Sequence, residues 1–323
     1  MAVAIVQAKC LLEQHRVGGA EGGAIAQGFR SAFRTQIFRS ACAKGIYSAR
    51  CIPAGGQGQR GWPVCALPDL CPVPLVFPAR SETSKKDLAP MVQVWIHHPP
   101  SGELEIRLVL FGERAATRRT SLESVLERLT TEGTEIPHSS QGADPVWRIR
   151  RKADVTLAYE GSLRHYAHCV VPPVLPSSFV VEFSSPCIVA SRADSSDATP
   201  TLAEIVGNMA YDLAIADLED GALASALGRG PLDALGGRAR QEAEAAIRRL
   251  TIEAGNLAPA EWGRLRSGTN PGFVRLNGFT GFLRLSGDLV PAAPWLAALT
   301  LRGAGQKRSY GAGEVRLWWP RVP

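Results

Sequence analysis

Near its carboxyl end the chain carries Gly303-Ala304-Gly305-Gln306-Lys307-Arg308-Ser309-Tyr310-Gly311-Ala312-Gly313, a glycine-rich basic loop set directly before the apolar run Val315 to Trp319. These residue types suit phosphate binding. Glycine lacks the Cβ that blocks close approach and admits positive φ, successive N–H groups can form an anion-binding nest, and Lys307 and Arg308 add full charges. An anionic polymer is the first ligand to expect. The loop is not a Walker A sequence, which needs four residues between its first Gly and its Gly-Lys-Ser/Thr end. Nor is it a dinucleotide fingerprint opening a long helix, because only about ten residues follow it.

A second set of candidates lies near the amino end. Starting from Ile25, the apolar positions Phe29, Phe33, Ile37 and Ala41 recur every four residues, the core stripe of an amphipathic helix. Arg30 and Arg34 share a neighbouring face one turn apart, and Arg39 lies further round; a merely solvated basic face has the same pattern. His15 follows the apolar run Val3 to Leu12, a strand end where a histidine is more often structural than chemical. Cys42, Cys51, Cys65 and Cys71 are four thiols, but neither successive pair has the two-to-four-residue spacing of a zinc knuckle, so no metal site is expected. His97-His98 stands before Pro99-Pro100, and strand alternation turns the two imidazoles to opposite faces, against joint metal binding.

The 323 residues are 45% hydrophobic, enough for two packed cores. No stretch approaches eighteen uninterrupted apolar residues, the amino terminus lacks a basic start and cleavage site, and seven cysteines form no regular framework. The expectation is a soluble cytoplasmic protein with reduced thiols. Charge is unevenly placed. Residues 1–60 hold eight Lys or Arg against Glu13 and Glu21, and residues 271–323 hold seven against Asp288 and Glu314. The two ends carry +11, and the middle, with 21 basic and 26 acidic residues, carries −5. A fold that brings the ends together creates a positive cleft for RNA or DNA; scattered solvated arginines are the plainer explanation of the same numbers.

The elements that would position these groups read as follows. Val3 to Leu12 is a strand, the helix with the Phe29 stripe follows, and residues 45–90, rich in Gly, Pro and Cys, read as irregular with one short strand near Val73 to Phe77. Leu104, Ile106, Leu108 and Leu110 alternate as in a half-buried strand, Leu122, Val125, Leu126 and Leu129 mark a helix, and Trp147 to Tyr159 is another strand. The proline-containing connection Cys169 to Pro176 divides the chain into domains at 1–168 and 177–323. Beyond it the order repeats. Phe179 to Ala190 is a strand pair or bent strand, and a helix with the stripe Leu202, Ile205, Val206, Met209 and Leu213 opens on a Thr201–Glu204 capping box. Strands follow in Phe273 to Leu285, then a short helix from Pro294 to Leu301 and a final strand. The fold class expected is α+β, two tandem ferredoxin-like βαββαβ domains. Residues 221–255 exceed that plan and read as an inserted helical projection carrying Arg238 and Arg240. RNA contact and a solvated helix laced with ion pairs are equally consistent with it.

The carboxyl-terminal third resembles the CRISPR-associated endoribonucleases of the RAMP superfamily, which cut precursor CRISPR RNA within its repeats. Asn277-Gly278-Phe279-Thr280-Gly281 is similar to the family's glycine-containing strand. Leu285-Ser286-Gly287-Asp288-Leu289 is similar to the end of the following hairpin, Trp295 to Leu299 to its short helix, and Gly305 to Gly313 to its terminal glycine-rich loop. Gly28 to Arg34, Cys42 to Cys71 and Val109 to Ala115 are fainter echoes in the first half. The Arg-rich region around 221–255 departs from the commoner members and fits a divergent version, such as that of type IV systems.

The resemblance implies a metal-independent, cofactor-free reaction in which the ribose 2′-OH attacks the adjacent phosphate, leaving a 2′,3′-cyclic phosphate and a free 5′-OH. Such chemistry needs a proton acceptor, cations for the phosphorane and an acid for the leaving oxygen. Many members place a histidine in or just before the first helix, and this chain has none between residues 16 and 96. The catalytic candidates are therefore Arg30 and Arg34, which can clamp a phosphate bidentately, with His15 as the reachable imidazole. The RNA-binding candidates are Arg39, Arg238, Arg240, Arg275, Arg284, Gly305, Lys307, Arg308, Ser309, Tyr310, Gly311 and Gly313. The implied partners are repeat RNA, the mature guide RNA and other subunits of an effector complex, with no membrane. The alternative is a non-catalytic RNA-binding subunit of such a complex, which the missing helix histidine favours.

Overall fold

The computed structural model describes residues 1–14, 28–30, 32–33, 35–37, 91–97, 102–137, 146–174, 176–188, 200–220, 229–266, 272–305 and 312–320. Its first half contains β1 (Ala2–Gln14), helical residues at 28–37 (α1), β2 (Val92–His97), β3 (Glu103–Phe111), α2 (Glu113–Ala116), α3 (Arg119–Leu129), β4 (Glu135–Pro137), β5 (Val146–Ser162) and α4 (Leu163–Val170). Its second half contains β6 (Ser178–Ile188), α5 (Leu202–Asp220), α6 (Arg229–Ile247), β7 (Leu250–Arg266), β8 (Gly272–Gly287), α7 (Leu289–Arg302) and β9 (Val315–Trp318).

Two antiparallel sheets result, in the orders β2-β3-β1-β5-β4 and β7-β8-β6-β9. In both, the first strand of the unit is central and the second strand lies at an edge, which is the ferredoxin-like arrangement expected from the repeated element order. The α+β, tandem ferredoxin-like reading therefore holds. Strand parity explains the layers. Ala4, Val6, Ala8 and Cys10 of β1, with Leu104, Ile106, Leu108 and Leu110 of β3, bury one face of the first sheet under Phe29, Phe33 and Ile37 of α1 and Leu122, Val125 and Leu126 of α3. Phe179, Val181, Phe183, Leu283 and Leu285 bury one face of the second sheet under α5 and α7. The Thr201–Glu204 capping box is formed, with the Glu204 N–H donating to Thr201 Oγ1 at 3.2 Å and the Thr201 N–H to Glu204 Oε2 at 2.9 Å.

The other face of the first sheet changes character along its length. At one end Val3, Ile5, Val109, Phe111 and Trp95 are buried and join the core of the second half. Further along the same face stand Lys9, Glu105, Arg107 and His97, which are exposed or half-buried. The apolar end is covered by the last turn of α7. Trp95 Nε1 donates to Leu301 O at 2.9 Å, Arg107 Nη2 donates to Thr300 O at 3.3 Å, and the Arg302 guanidinium lies 5.3 Å from the Phe111 ring centre. Helix α7 is apolar on nearly every side, as a helix packed between two layers must be.

Several elements depart from the sequence reading. The strand at Trp147 runs on to Ser162, whose Oγ caps a helix, α4, reaching Val170 where the connection at 169–176 was expected. Phe179 to Ala190 is a single strand ending at Ile188, with an irregular register between Phe183 and Cys187. Among its described residues the proposed insertion 221–255 is helical over α6, and from Leu250 onward it is strand β7. The run Ala254-Gly255-Asn256-Leu257-Ala258-Pro259 has little strand propensity, and sixteen residues of edge pairing to β8 override it; an edge also tolerates Pro259. Phe273 to Leu285 belongs to one strand, in which Gly281 has φ +124° and a Cβ there would stand 1.9 Å from Asn256 O. The helix expected at Pro294 starts earlier, at Leu289. The irregular segment 45–90, its strand at Val73 to Phe77 and the four-cysteine cluster lie outside the described residues. Among the described residues no helix is long and apolar enough to cross a membrane.

The Trp95 contact is testable. Trp95→Phe keeps most of the ring but removes the hydrogen bond to Leu301, and should lower the unfolding free energy by about 1 kcal/mol. Trp95→Ala should cost about 3–5 kcal/mol, as for other buried large-to-small changes. Urea unfolding with matched m values is the check.

Candidate nucleic-acid interface

The glycine-rich segment begins as a clasp. Gly303, Gly305 and Gly313 all have positive φ, near +80°, +71° and +81°. The Gly303 N–H donates to Leu299 O and the Ala304 N–H donates to Gly313 O, both at 2.7 Å, so the two arms close on each other at their base. A Cβ on Gly313 would stand 1.8 Å from Ala304 O, one on Gly305 2.4 Å from Ile188 O, and one on Gly303 2.4 Å from the Trp95 ring. Gly305 and Gly313 were expected to touch phosphate. In the structure they pack a neck, with Gly313 buried, because backbone meets backbone there. Lys307, Arg308, Ser309, Tyr310 and Gly311 lie outside the described residues.

Glu314 leaves that neck as a nearly buried carboxylate, 8% exposed. Its N–H donates to Ser185 Oγ at 2.8 Å and its carbonyl accepts from Ser184 N at 3.0 Å, which locks the residue beside β6. Its Oε1 lies 3.4 Å from Arg316 Nη2 and 3.9 Å from Arg107 Nη2, and its field also reaches Arg30. One carboxylate thus faces two guanidinium groups, with Arg30 within reach of its field, and the corner remains net positive. Arg107 and Arg316 keep open surface, so an arriving anion can meet both. Beside them, Lys9, Glu105 and His97 form one cross-strand row on β1, β3 and β2. Lys9 Nζ lies 2.8 Å from Glu105 Oε1; this hydrogen bond holds the Glu105 carboxyl below its ordinary range and the Lys9 ammonium above its own.

Arg30 is not on a solvated face. It is buried, and its Nη2 donates to the Val94 carbonyl of edge strand β2. Burial pushes its pKa down to about 9, with Glu314 opposing the shift, and its Nε and Nη1 have no hydrogen-bond partner. The sequence pattern placed Arg30 beside the Phe29 stripe. The long side chain then turns inward at the stripe's margin, so Arg30 joins α1 to the sheet instead of presenting a free cation. Arg34, Arg39 and His15 lie outside the described residues.

The remaining arginines divide between two sides. Arg238 and Arg240 sit on α6, which packs with α5 on the helix side of the second sheet. Arg240 Nε lies 2.7 Å from Glu244 Oε1, and Arg248 Nη2 2.9 Å from Glu244 Oε2, so this helix carries an ion-pair ladder. Arg284 is exposed on the opposite, outer face of the sheet, with Arg316 two strands away. Arg275 belongs to β8 by its register opposite Gly263, and its side chain lies outside the described set. The structure therefore joins Arg284 to the side of Arg107 and Arg316 and separates Arg238 and Arg240 from it. Lys9, Arg107, Glu314, Arg316 and His97 escaped the sequence reading as site residues. The signal for Arg107, Glu105 and Lys9 was available: charged residues at the strand positions that alternate with the buried stripe. Among the described residues no cluster of His, Cys, Asp and Glu could hold a metal ion, and burial pushes the Cys10 thiol up to about 12.

No family model matches the sequence, and no curated protein matches it. Solved structures do match. A Cas6 product complex aligns over 98% of this chain and 99% of its own, with a TM-score of 0.50 and 15% identity. The fold is Cas6-like. Thermus thermophilus Cas6 aligns over 98% of both chains, with a TM-score of 0.45 and 15% identity. A Cas6-related protein from Pyrococcus furiosus covers 97% of this chain and 98% of its own, with a TM-score of 0.45 and 9% identity. Within the Cas6-like fold the neck, Trp95 and the Glu314 cluster join the two ferredoxin-like units.

Arg30→Met should leave the unfolding free energy within about 1 kcal/mol of wild type or raise it, since a buried cation with two unpaired nitrogens is replaced by an apolar chain. Arg30→Ala should lower it by about 2–3 kcal/mol through lost packing.

Proposed function

We propose that this protein binds the stem-loop of a CRISPR repeat RNA and cleaves the precursor at the base of that stem without a metal ion. The observation that carries the reading is the arginine-ringed Glu314 at the neck, where the basic carboxyl end meets the basic amino half on the open end of the first sheet. The Cas6-like fold supports it, and one of the matched structures is a Cas6 product complex.

In this mechanism the 2′-OH beside the scissile phosphate loses its proton to a base and attacks phosphorus. The bond from phosphorus to the 5′ oxygen breaks, and that oxygen takes a proton, leaving a 2′,3′-cyclic phosphate and a 5′-OH. Arg107 and Arg316 hold the phosphate and stabilise the charge that grows on it. Arg34, Lys307 and Arg308 add cations from the two flanking segments, and Ser309 and Tyr310 position the strand. His15 and His97 are the imidazoles proposed for proton transfer, His97 being the one set opposite Glu105 on the polar row. Arg30 acts indirectly, by tying α1 to β2 under this site. Stem recognition rests on phosphate spacing and A-form shape, and retention of the product would seed a cytoplasmic effector complex around the guide.

The burial of Arg30 favours a second reading, a non-catalytic subunit that grips repeat RNA with the same surface. Incubation with repeat RNA in EDTA separates the two. The nuclease yields a 2′,3′-cyclic phosphate end and leaves a substrate with a 2′-deoxy scissile nucleotide bound but uncut. Tight binding with no cut establishes the subunit reading, and cleavage of the deoxy substrate refutes the mechanism. Arg107→Ala and Arg316→Ala should each weaken repeat binding and reduce the slope of log affinity against log salt by about one.

A further inference from the structure

The outer face of the second sheet is open. Phe282 is 39% exposed and Trp318 54%, although both project from strands whose alternate residues are core. With Val180, Glu182, Ser184 and Thr280 they line a groove of about 640 Å³. Register fixes the pattern: one row across the strands reads Phe282, Glu182, Arg316, and the next reads Arg284, Val180, Trp318. Each aromatic ring thus shares a row with an arginine two strands away, and the rings lie roughly 12 Å apart by strand spacing and rise. Trp318 Nε1 donates to Glu182 Oε2 at 2.5 Å, which sets the indole in one orientation.

From this pattern we infer that the outer face of the second sheet is a stacking platform for unpaired RNA, resting on the RNA-binding reading above. Two bases of a single strand lie on Phe282 and Trp318, while Arg284 and Arg316 take the flanking phosphates. Aromatic faces accept any base, and guanidinium groups match phosphate geometry. Glu182, central in the groove, repels phosphate and accepts hydrogen bonds from the exocyclic amino groups of adenine or cytosine. Arg316 belongs both to this face and to the Glu314 cluster, so a strand leaving the neck passes directly onto the platform. The alternation of cation and ring favours nucleic acid over a protein partner, for which a contiguous apolar patch would serve better.

The test uses the full-length protein and two labelled RNAs, an unstructured decaadenylate and a CRISPR repeat hairpin, in anisotropy titrations at low salt. Phe282→Ala and Trp318→Ala should each weaken decaadenylate binding by at least about fivefold, and Trp318→Phe should keep most of the affinity. Phe282→Leu separates stacking from plain apolar contact, and should behave like Phe282→Ala. Both side chains are exposed, so circular-dichroism melts should match wild type in every variant. The platform is overturned if the double alanine variant binds decaadenylate as wild type does, or if Phe282→Leu restores full affinity. It is also overturned if the substitutions instead change the sedimentation of the RNA-free protein, which marks a protein interface. Hairpin binding without decaadenylate binding in wild type sinks the platform alone; failure to bind either RNA sinks the RNA-binding reading with it.

Discussion

The whole arrangement depends on how closely the last turn of α7 approaches the first sheet. Trp95 is the point of contact. Its indole N–H satisfies a carbonyl that the end of α7 leaves unpaired, and its ring lies against Gly303, where a Cβ would collide with it. That closeness requires a glycine with positive φ immediately after the helix, and the same glycine starts the neck. The join between the two units and the base of the basic loop are therefore one structural feature. A packing residue in the first half decides where a cation-bearing segment in the second half emerges.

Electrostatics then follows from position. Glu314 is the first residue beyond the neck, nearly buried, and it draws in arginines from β3 and β9 while its field reaches a third in α1. A carboxylate in such a place organises a positive site without neutralising it. It aligns Arg107 and Arg316 and leaves their outer surfaces free for an anion, and it offsets part of the cost of burying Arg30. The change along the first sheet, from buried Val3, Ile5 and Val109 to open Lys9, Glu105 and Arg107, means that the apolar end holds the units together while the charged end stays available.

Much of the fold was legible in the sequence because local pattern and tertiary outcome agree there. The alternation at Leu104 to Leu110, the helical stripes at Phe29 and at Leu202, and the Thr201–Glu204 box all form as their spacing demands. Failures came where neighbours outvote propensity. Strand β7 includes Ala, Gly, Asn and Pro, and only its pairing with β8 makes it extended. The site was legible in part. The glycine loop and the concentration of charge at both ends stood out, whereas Arg107 and Glu314 had no local motif to mark them.

By itself the sequence determined the helical stripes at Phe29 and Leu202, the alternating strand at Leu104 to Leu110 and which of their positions face a core, because these depend on side-chain period and on residues near in the chain. Tertiary structure alone decided what the functional groups became. Arg30 and Arg284 look alike in sequence; one is drawn under a sheet edge and the other stands on an open sheet face. Gly305 and Gly313 look like a phosphate cradle, yet they pack a neck because the backbones of Ile188 and Ala304 lie within reach of any Cβ. Burial and the identity of a charge's neighbours are set by residues far away in the chain, which is why only the assembled fold could assign them.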